Sequence, residues 1–246
     1  MNPIIHTSKT PEDLADLFAL QLIDWINETG DASFHLALSG GKTPALLFTI
    51  LAEKYAAKIP LHKVHFWWGD ERMVPPDDPE SNFGVVNRLL FSRIELSQIQ
   101  VHRIIGEAEP SQEALRYGSE IKRAMPSSNN WPVFDLVMLG LGDDGHTASI
   151  FPAQMQLMEL DAITDITFHP ISGQQRITIT GKVINNAKRV AFLVSGASKA
   201  GIFKQIIHDS SGALPYPASH IRPAGELHWF VDEACIQITI SKTEFN

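Results

Sequence analysis

An α/β fold, a mainly parallel sheet with helices on both faces, follows from three features of this chain. Short apolar runs rich in aromatic and β-branched residues alternate with helical patterns, and glycine-bearing polar motifs directly follow several of those runs. A composition of 44% hydrophobic and 20% charged residues over 246 positions also suits a large buried core. No fixed-period repeat, low-complexity run or convincing linker divides the chain, so a single domain spanning 1–246 is expected.

In chain order, Thr10 is placed to cap a first helix, Pro11 suits its first position, and Gly30 ends it. Leu14, Leu17, Phe18, Leu22 and Trp25 are expected on its buried face. Residues 34–38 read as a strand, Ser39-Gly40-Gly41-Lys42-Thr43 as a turn, and Pro44 as the opening of a helix reaching about Tyr55. The strand at 64–68 runs into Gly69-Asp70-Glu71-Arg72. The strand at 134–139 runs into Gly140-Leu141-Gly142-Asp143-Asp144-Gly145-His146. Further strands are expected at 176–180, 190–195 and 227–231, with a helix at 199–208 and a surface loop at 126–132. In parallel α/β sheets ligands bind outside the carboxyl ends of the strands, where these motifs fall.

Charge narrows the ligand class. A net charge of -8 argues against a nucleic-acid surface, so an anionic ligand must meet a local positive pocket. The N-terminus lacks the basic start and apolar run of a signal peptide, and no stretch reaches the roughly 18 apolar residues of a membrane span. No membrane association is expected, and cytoplasm is the expected location. The lone Cys235 allows no intrachain disulfide and reads as a small buried hydrophobe. The ten His form no HxH or HExxH pattern, and His62 with His65 lacks a matching cluster, so no metal is implied. Nothing in the chain specifies an oligomeric state.

Three motifs carry chemistry. In Ser39-Gly40-Gly41-Lys42-Thr43-Pro44, paired glycines let backbone N–H groups approach a phosphate or sugar oxygen at a helix N-terminus. The alternative is a tight turn capped by Thr43. The glycine run before His146 sets an imidazole among carboxylates; its ordinary pKa of about 6.5 suits proton abstraction from water, and Asp144 or Asp70 could fix its tautomer. Arg72 either clamps a phosphate or pairs with Asp70 and Glu71, the ion pair being favoured on its own merits. Arg176, heading a short strand, and Lys199, after Ser195-Gly196, are further cations at separate strand ends that could share one rim with Arg72 and face the same ligand; the alternative for each is a solvated surface charge.

Together, residues 39–44, Asp70-Glu71-Arg72-Met73-Val74-Pro75 with Ser81-Asn82, and Gly140 through Pro152 resemble the 6-phosphogluconolactonase family in order and spacing. The match extends through Arg176, Ser195-Gly196 with Lys199, and Pro217-Ala218-Ser219 with Arg222-Pro223. The family belongs with the glucosamine-6-phosphate deaminases, which implies a modified Rossmann-like sheet. The resemblance implies hydrolysis of 6-phosphoglucono-δ-lactone to 6-phosphogluconate in the oxidative pentose phosphate pathway, with no metal or organic cofactor and a small sugar-phosphate lactone as partner. His146 matches the family's general base, with Asp70 and Asp144 as acidic companions. Arg72, Arg176 and Lys199 match phosphate-binding cations, and Ser39, Gly40 and Gly41 line the sugar-phosphate pocket. Lys42, where Ser or Arg is more familiar, and Ile150, in place of Leu, are the departures. A deaminase would carry Phe-Asn-Glu-Pro after its His, whereas Thr147 to Pro152 lacks that Glu. A non-catalytic sugar-phosphate sensor would need neither His146 nor Asp144.

Overall fold

The computed structural model describes residues 2–209 and 212–236. In order the elements are β1 (Ile4–Ser8), α1 (Pro11–Glu28), β2 (Phe34–Leu38), α2 (Lys42–Ile50), β3 (Val64–Trp68), β4 (Asp70–Arg72), α3 (Asn82–Leu89), β5 (Val101–His102), α4 (Pro110–Ala124), β6 (Ser127–Ser128), β7 (Trp131–Pro132), β8 (Leu136–Leu139), β9 (Thr164–Phe168), β10 (Gln175–Ile179), α5 (Gly181–Asn185), β11 (Arg189–Val194), α6 (Ala200–His208), β12 (Glu226–Asp232) and α7 (Glu233–Ile236). A seven-stranded sheet has the order β1-β12-β11-β8-β2-β3-β5, and its pairings are parallel. A separate three-stranded sheet, β4-β10-β9, is antiparallel.

The first helix forms as its sequence signals require. Thr10 Oγ1 accepts from the Asp13 N–H at 3.1 Å, relieving one of the free donors of the first turn. Leu14, Phe18, Leu22 and Trp25 are buried, but Leu17 is 37% exposed. It precedes Phe18 by one position and therefore points about 100° away around the helix. The second helix starts at Lys42 rather than Pro44, with Gly41 at φ 110° as its N-cap residue. It continues as a wider helical turn over Leu51–Tyr55, so its expected end holds.

Register decides which face each strand residue takes. Trp67, Ala37, Val137 and Val190 align across neighbouring parallel strands and so share one face. There Trp67 meets Tyr117 of α4 with ring centres 6.0 Å apart, and Trp229 meets Phe203 of α6 at 5.4 Å. On the other face Phe230 of β12 packs edge-on against Phe18 of α1 at 5.0 Å. Helices therefore cover both faces, and the buried aromatic area supplies much of the hydrophobic driving force.

Sequence patterning did not announce β1, β4, β5 or β9. β1 lies at the sheet edge, with Ile4 and Ile5 each 43% exposed, and its partner β12 comes near the other end of the chain. The expected loop at 126–132 is a short hairpin, with Asn129 and Asn130 at φ 52° and 67°, the left-handed pair that a tight two-residue hairpin turn requires. Cys235 is buried as expected, and burial pushes its thiol up to about 12. Among the described residues no helix is long and apolar enough to cross a membrane.

Beneath α4, His35 accepts from Trp67 Nε1 at 3.2 Å and stacks on His65 at 5.1 Å. Burial, followed by the neighbouring His65, lowers its pKa from 6.5 to about 4. The unfolded chain therefore binds this proton more tightly, so the His35 contribution to stability is complete above pH 6.5 and is lost as pH falls toward 4. Equilibrium denaturation at stepped pH should show unfolding free energy falling across that window. His35→Gln, which keeps an acceptor for Trp67, should reduce the slope by up to about one proton; equal slopes would acquit His35.

Candidate active site

Loops at the carboxyl ends of β2, β8 and β11 meet β4 and β10 of the small sheet around a cavity of about 540 Å³, within the usual range for small-molecule sites. Every expected site residue except Asp144 lines it: Ser39, Gly40, Gly41, Asp70, Arg72 and His146, with Arg176 and Lys199. Asp144 lies one step behind. Its Oδ1 is 2.6 Å from His146 Nδ1 and accepts from the His146 backbone N–H at 3.1 Å. Burial pushes the Asp144 carboxyl up, but these hydrogen bonds and the His146 ring outweigh it and hold the group below its ordinary value. An ionised Asp144 makes Nδ1 the protonated ring nitrogen and leaves Nε2 as the basic one.

Glycines make this geometry sterically possible. A Cβ on Gly142 would fall 2.0 Å from His146 Nδ1, so only glycine lets the loop close over the ring. The loop is also pinned by the Gly142 N–H on the His146 carbonyl at 2.9 Å. Likewise a Cβ on Gly40 would fall 1.9 Å from Asn82 Oδ1, so the glycine loop after β2 and the start of α3 approach as closely as backbone allows. Thr43 is not the cap of α2; its Oγ1 is 2.9 Å from Ser195 Oγ, joining the loops after β2 and β11.

Two sequence expectations change. Arg72 directs Nη1 to the Glu80 carbonyl rather than pairing with Asp70 or Glu71, and its buried Nε has no hydrogen-bond partner among the described residues. The three cations also do not sit at three equivalent strand ends. Arg176 and Arg72 are register partners across the antiparallel β10-β4 pair, whereas Lys199 lies in the connection after the parallel strand β11. Arg176 is 8% exposed over the Phe151 ring, and burial lowers its pKa, partly offset by Asp70. Asp70 does not touch the imidazole: its Oδ2 accepts from Ser149 Oγ at 2.6 Å, so Asp144 alone of the two acids orients His146.

The other partners of Glu71 explain why it does not pair with the Arg72 guanidinium. Its carboxylate, 1% exposed, accepts backbone N–H groups of Arg72 and Asn82 at 2.8 Å and Phe83 at 2.7 Å, and the Ser81 hydroxyl at 3.2 Å. It thereby ties β4 to the first turn of α3. Burial pushes it up to about 7 against those donors. Asn82 Nδ2 in turn donates to the Asp70 carbonyl at 2.9 Å. Asn82, Lys42 and Asp143 line the cavity as well, although motif reading left them outside the core site. The signal for Asn82 was its place after the proline-rich run 74–79, which delivers it to the same corner as Asp70.

A parallel α/β sheet that gathers cations and a carboxylate-held histidine over its strand ends defines a protein acting on a small anionic ligand. The chain belongs to the glucosamine-6-phosphate isomerase/6-phosphogluconolactonase family, whose model matches residues 8–229. It is 47% identical over 206 residues to a 6-phosphogluconolactonase of Haemophilus influenzae, covering 83% of this chain and 87% of that one. A crystal structure of the devB protein superposes with TM-score 0.88 at 42% identity, covering 94% and 98% of the two chains. The 6-phosphogluconolactonase of Trypanosoma brucei gives 0.82 at 26%, covering 95% and 97%.

Removing the Glu71 carboxylate would strand three N–H donors, one buried and two half-buried. Glu71→Ala should therefore cost about 3 to 5 kcal/mol of stability, read by urea denaturation. A loss within the scatter of surface substitutions would mean that β4 and α3 are held by other contacts.

Proposed function

We propose that this chain hydrolyses 6-phosphoglucono-δ-lactone to 6-phosphogluconate in the oxidative pentose phosphate pathway, with His146 as general base on water. The observation that carries the reading is the 2.6 Å contact of Asp144 with His146 Nδ1 at the edge of a pocket that also gathers Arg72, Arg176 and Lys199. Its family membership and its identity to a 6-phosphogluconolactonase support the same reaction. On this reading the chain works in the cytoplasm on a soluble substrate.

Water attacks the lactone carbonyl while Nε2 of His146 takes its proton, and Asp144 stabilises the imidazolium that forms. When the ring C–O bond breaks, the imidazolium returns the proton to the departing ring oxygen, and the new carboxylic acid ionises. Asp70, held by Ser149, is proposed to orient the water or a sugar hydroxyl. Arg72, Arg176 and Lys199 take the phosphate, and the Ser39-Gly40-Gly41 backbone offers N–H groups to substrate oxygens. These residues supply proton transfer and anion binding, and the scheme routes no step through a metal or an organic cofactor.

The first test is acid release from freshly generated lactone, corrected for spontaneous hydrolysis. His146→Ala should lower kcat by about 10²- to 10⁴-fold, as expected for a lost general base. Near-normal turnover by a folded His146→Ala protein would point to a different base, and no wild-type turnover at all would favour a binding protein.

Phosphate recognition is tested separately. Arg176→Ala should weaken kcat/KM by about 10- to 200-fold through loss of a charge-assisted hydrogen bond, while residual activity on glucono-δ-lactone, which lacks the phosphate, changes far less. Equal damage to both lactones would make Arg176 a structural residue.

A further inference from the structure

The pocket's cations are not equally available in the empty site. Among the described residues, Arg176 makes hydrogen bonds only to neutral groups, the Ser149 hydroxyl at 3.4 Å and Gln174 Oε1 at 3.3 Å, and Arg72 Nε has no hydrogen-bond partner. Lys199 is already engaged: its Nζ is 2.6 Å from Asp143 Oδ1. The two side chains extend from loops after β8 and β11, which are adjacent parallel strands, and both line the cavity. Lys199 is the more sheltered partner, its side chain 22% exposed against 77% for Asp143. Asp143 is therefore a solvated carboxylate at the rim, beside Asp144 but with a different contact.

Ion pairs of this exposure are weak, so an arriving phosphate can take Lys199 at small cost. The displaced carboxylate nonetheless remains beside the phosphate and repels it. Ring opening adds one negative charge to the ligand, so the product meets at least as much repulsion as the substrate. We propose, on the basis of the phosphorylated-lactone reading, that Asp143 is a resident counter-anion of the pocket: it positions Lys199 in the empty site, yields it to the substrate phosphate, and weakens the hold on phosphorylated ligands so that product leaves. Asp143 is a positioning residue in this account, acting through Lys199, and takes no proton in the reaction.

The test uses the full chain with Asp143→Asn, Lys199→Ala and the double variant. Steady-state kinetics on 6-phosphoglucono-δ-lactone and glucono-δ-lactone are combined with calorimetric binding of 6-phosphogluconate. Asp143→Asn should lower KM for the phosphorylated lactone and Kd for the product by about 2- to 10-fold, with the change falling on KM rather than kcat. Glucono-δ-lactone should show a smaller change, and in the Lys199→Ala background the Asn substitution should lose most of its effect. Asp143→Ser in the same assays covers an Asn variant that fails to fold. An unchanged or raised KM and Kd would overturn the proposal, as would an equal change with the phosphate-free lactone or an undiminished effect without Lys199. Wild-type turnover with any of those outcomes removes only this inference. Absence of wild-type turnover removes the functional reading and the inference with it.

Discussion

Two hydrogen bonds at Gly69 hold the small antiparallel sheet to the large parallel one. The Gly69 N–H donates to the Leu38 carbonyl at the end of β2, and its own carbonyl accepts from the Ile179 N–H at the end of β10, both at 2.9 Å. The chain leaves β3 at this residue and at once becomes β4, so Asp70 and Arg72 belong to the second sheet within a few residues of the first. That sheet overhangs the carboxyl ends of the parallel strands, bringing Arg176 opposite Arg72 and above the loops of β2, β8 and β11. Without this junction the parallel strands would end in an open crevice walled by loops alone.

The junction also sets the electrostatics. A chain of net charge -8 gathers two guanidinium groups and two ammonium groups around one cavity, which concentrates positive potential where water is partly excluded. Holding Arg72 and Arg176 side by side is unfavourable until an anion arrives. Burial and the charge of Arg72 both act to lower the pKa of Arg176, while Asp70 opposes them. Part of the repulsion is relieved by neutral acceptors, the Glu80 carbonyl for Arg72 and Gln174 for Arg176. Neutral acceptors leave the guanidinium groups without a directly paired carboxylate, though Asp70 and Glu80 act on Arg176 from farther off, whereas Lys199 is held by a carboxylate in direct contact.

Backbone clearance is the third constraint. The His146 ring occupies the volume a side chain at Gly142 would need, and Asn82 occupies that of Gly40. Two polar side chains at the site are thus each fixed by a glycine opposite and by an acceptor behind: Asp144 behind His146, and the Asp70 carbonyl behind Asn82. Glu71 completes the arrangement by binding the first turn of α3 to β4, which fixes Asn82 at a helix start beside Asp70 and Arg72.

Strands β2, β3, β8 and β11 and helix α1 were legible because each carries a local signal, a dense apolar run or a cap with a 3.6-residue stripe, and because burial on both faces rewards such runs wherever they occur in the chain. The motif residues were legible for the same reason: glycine, aspartate and histidine at short spacing constrain their own backbone, and Asp144 lies two positions from the His146 ring it holds. β1, β9 and the pairing of Arg176 with Arg72 were not, since each depends on a partner far along the chain and on register rather than residue type. Local chemistry could name Arg72, Arg176 and Lys199 as cations but could not say which would keep a free charge. That was decided by tertiary distances: a carboxylate 2.6 Å from Lys199 Nζ, and for Arg72 and Arg176, among the described residues, only neutral acceptors within hydrogen-bonding reach.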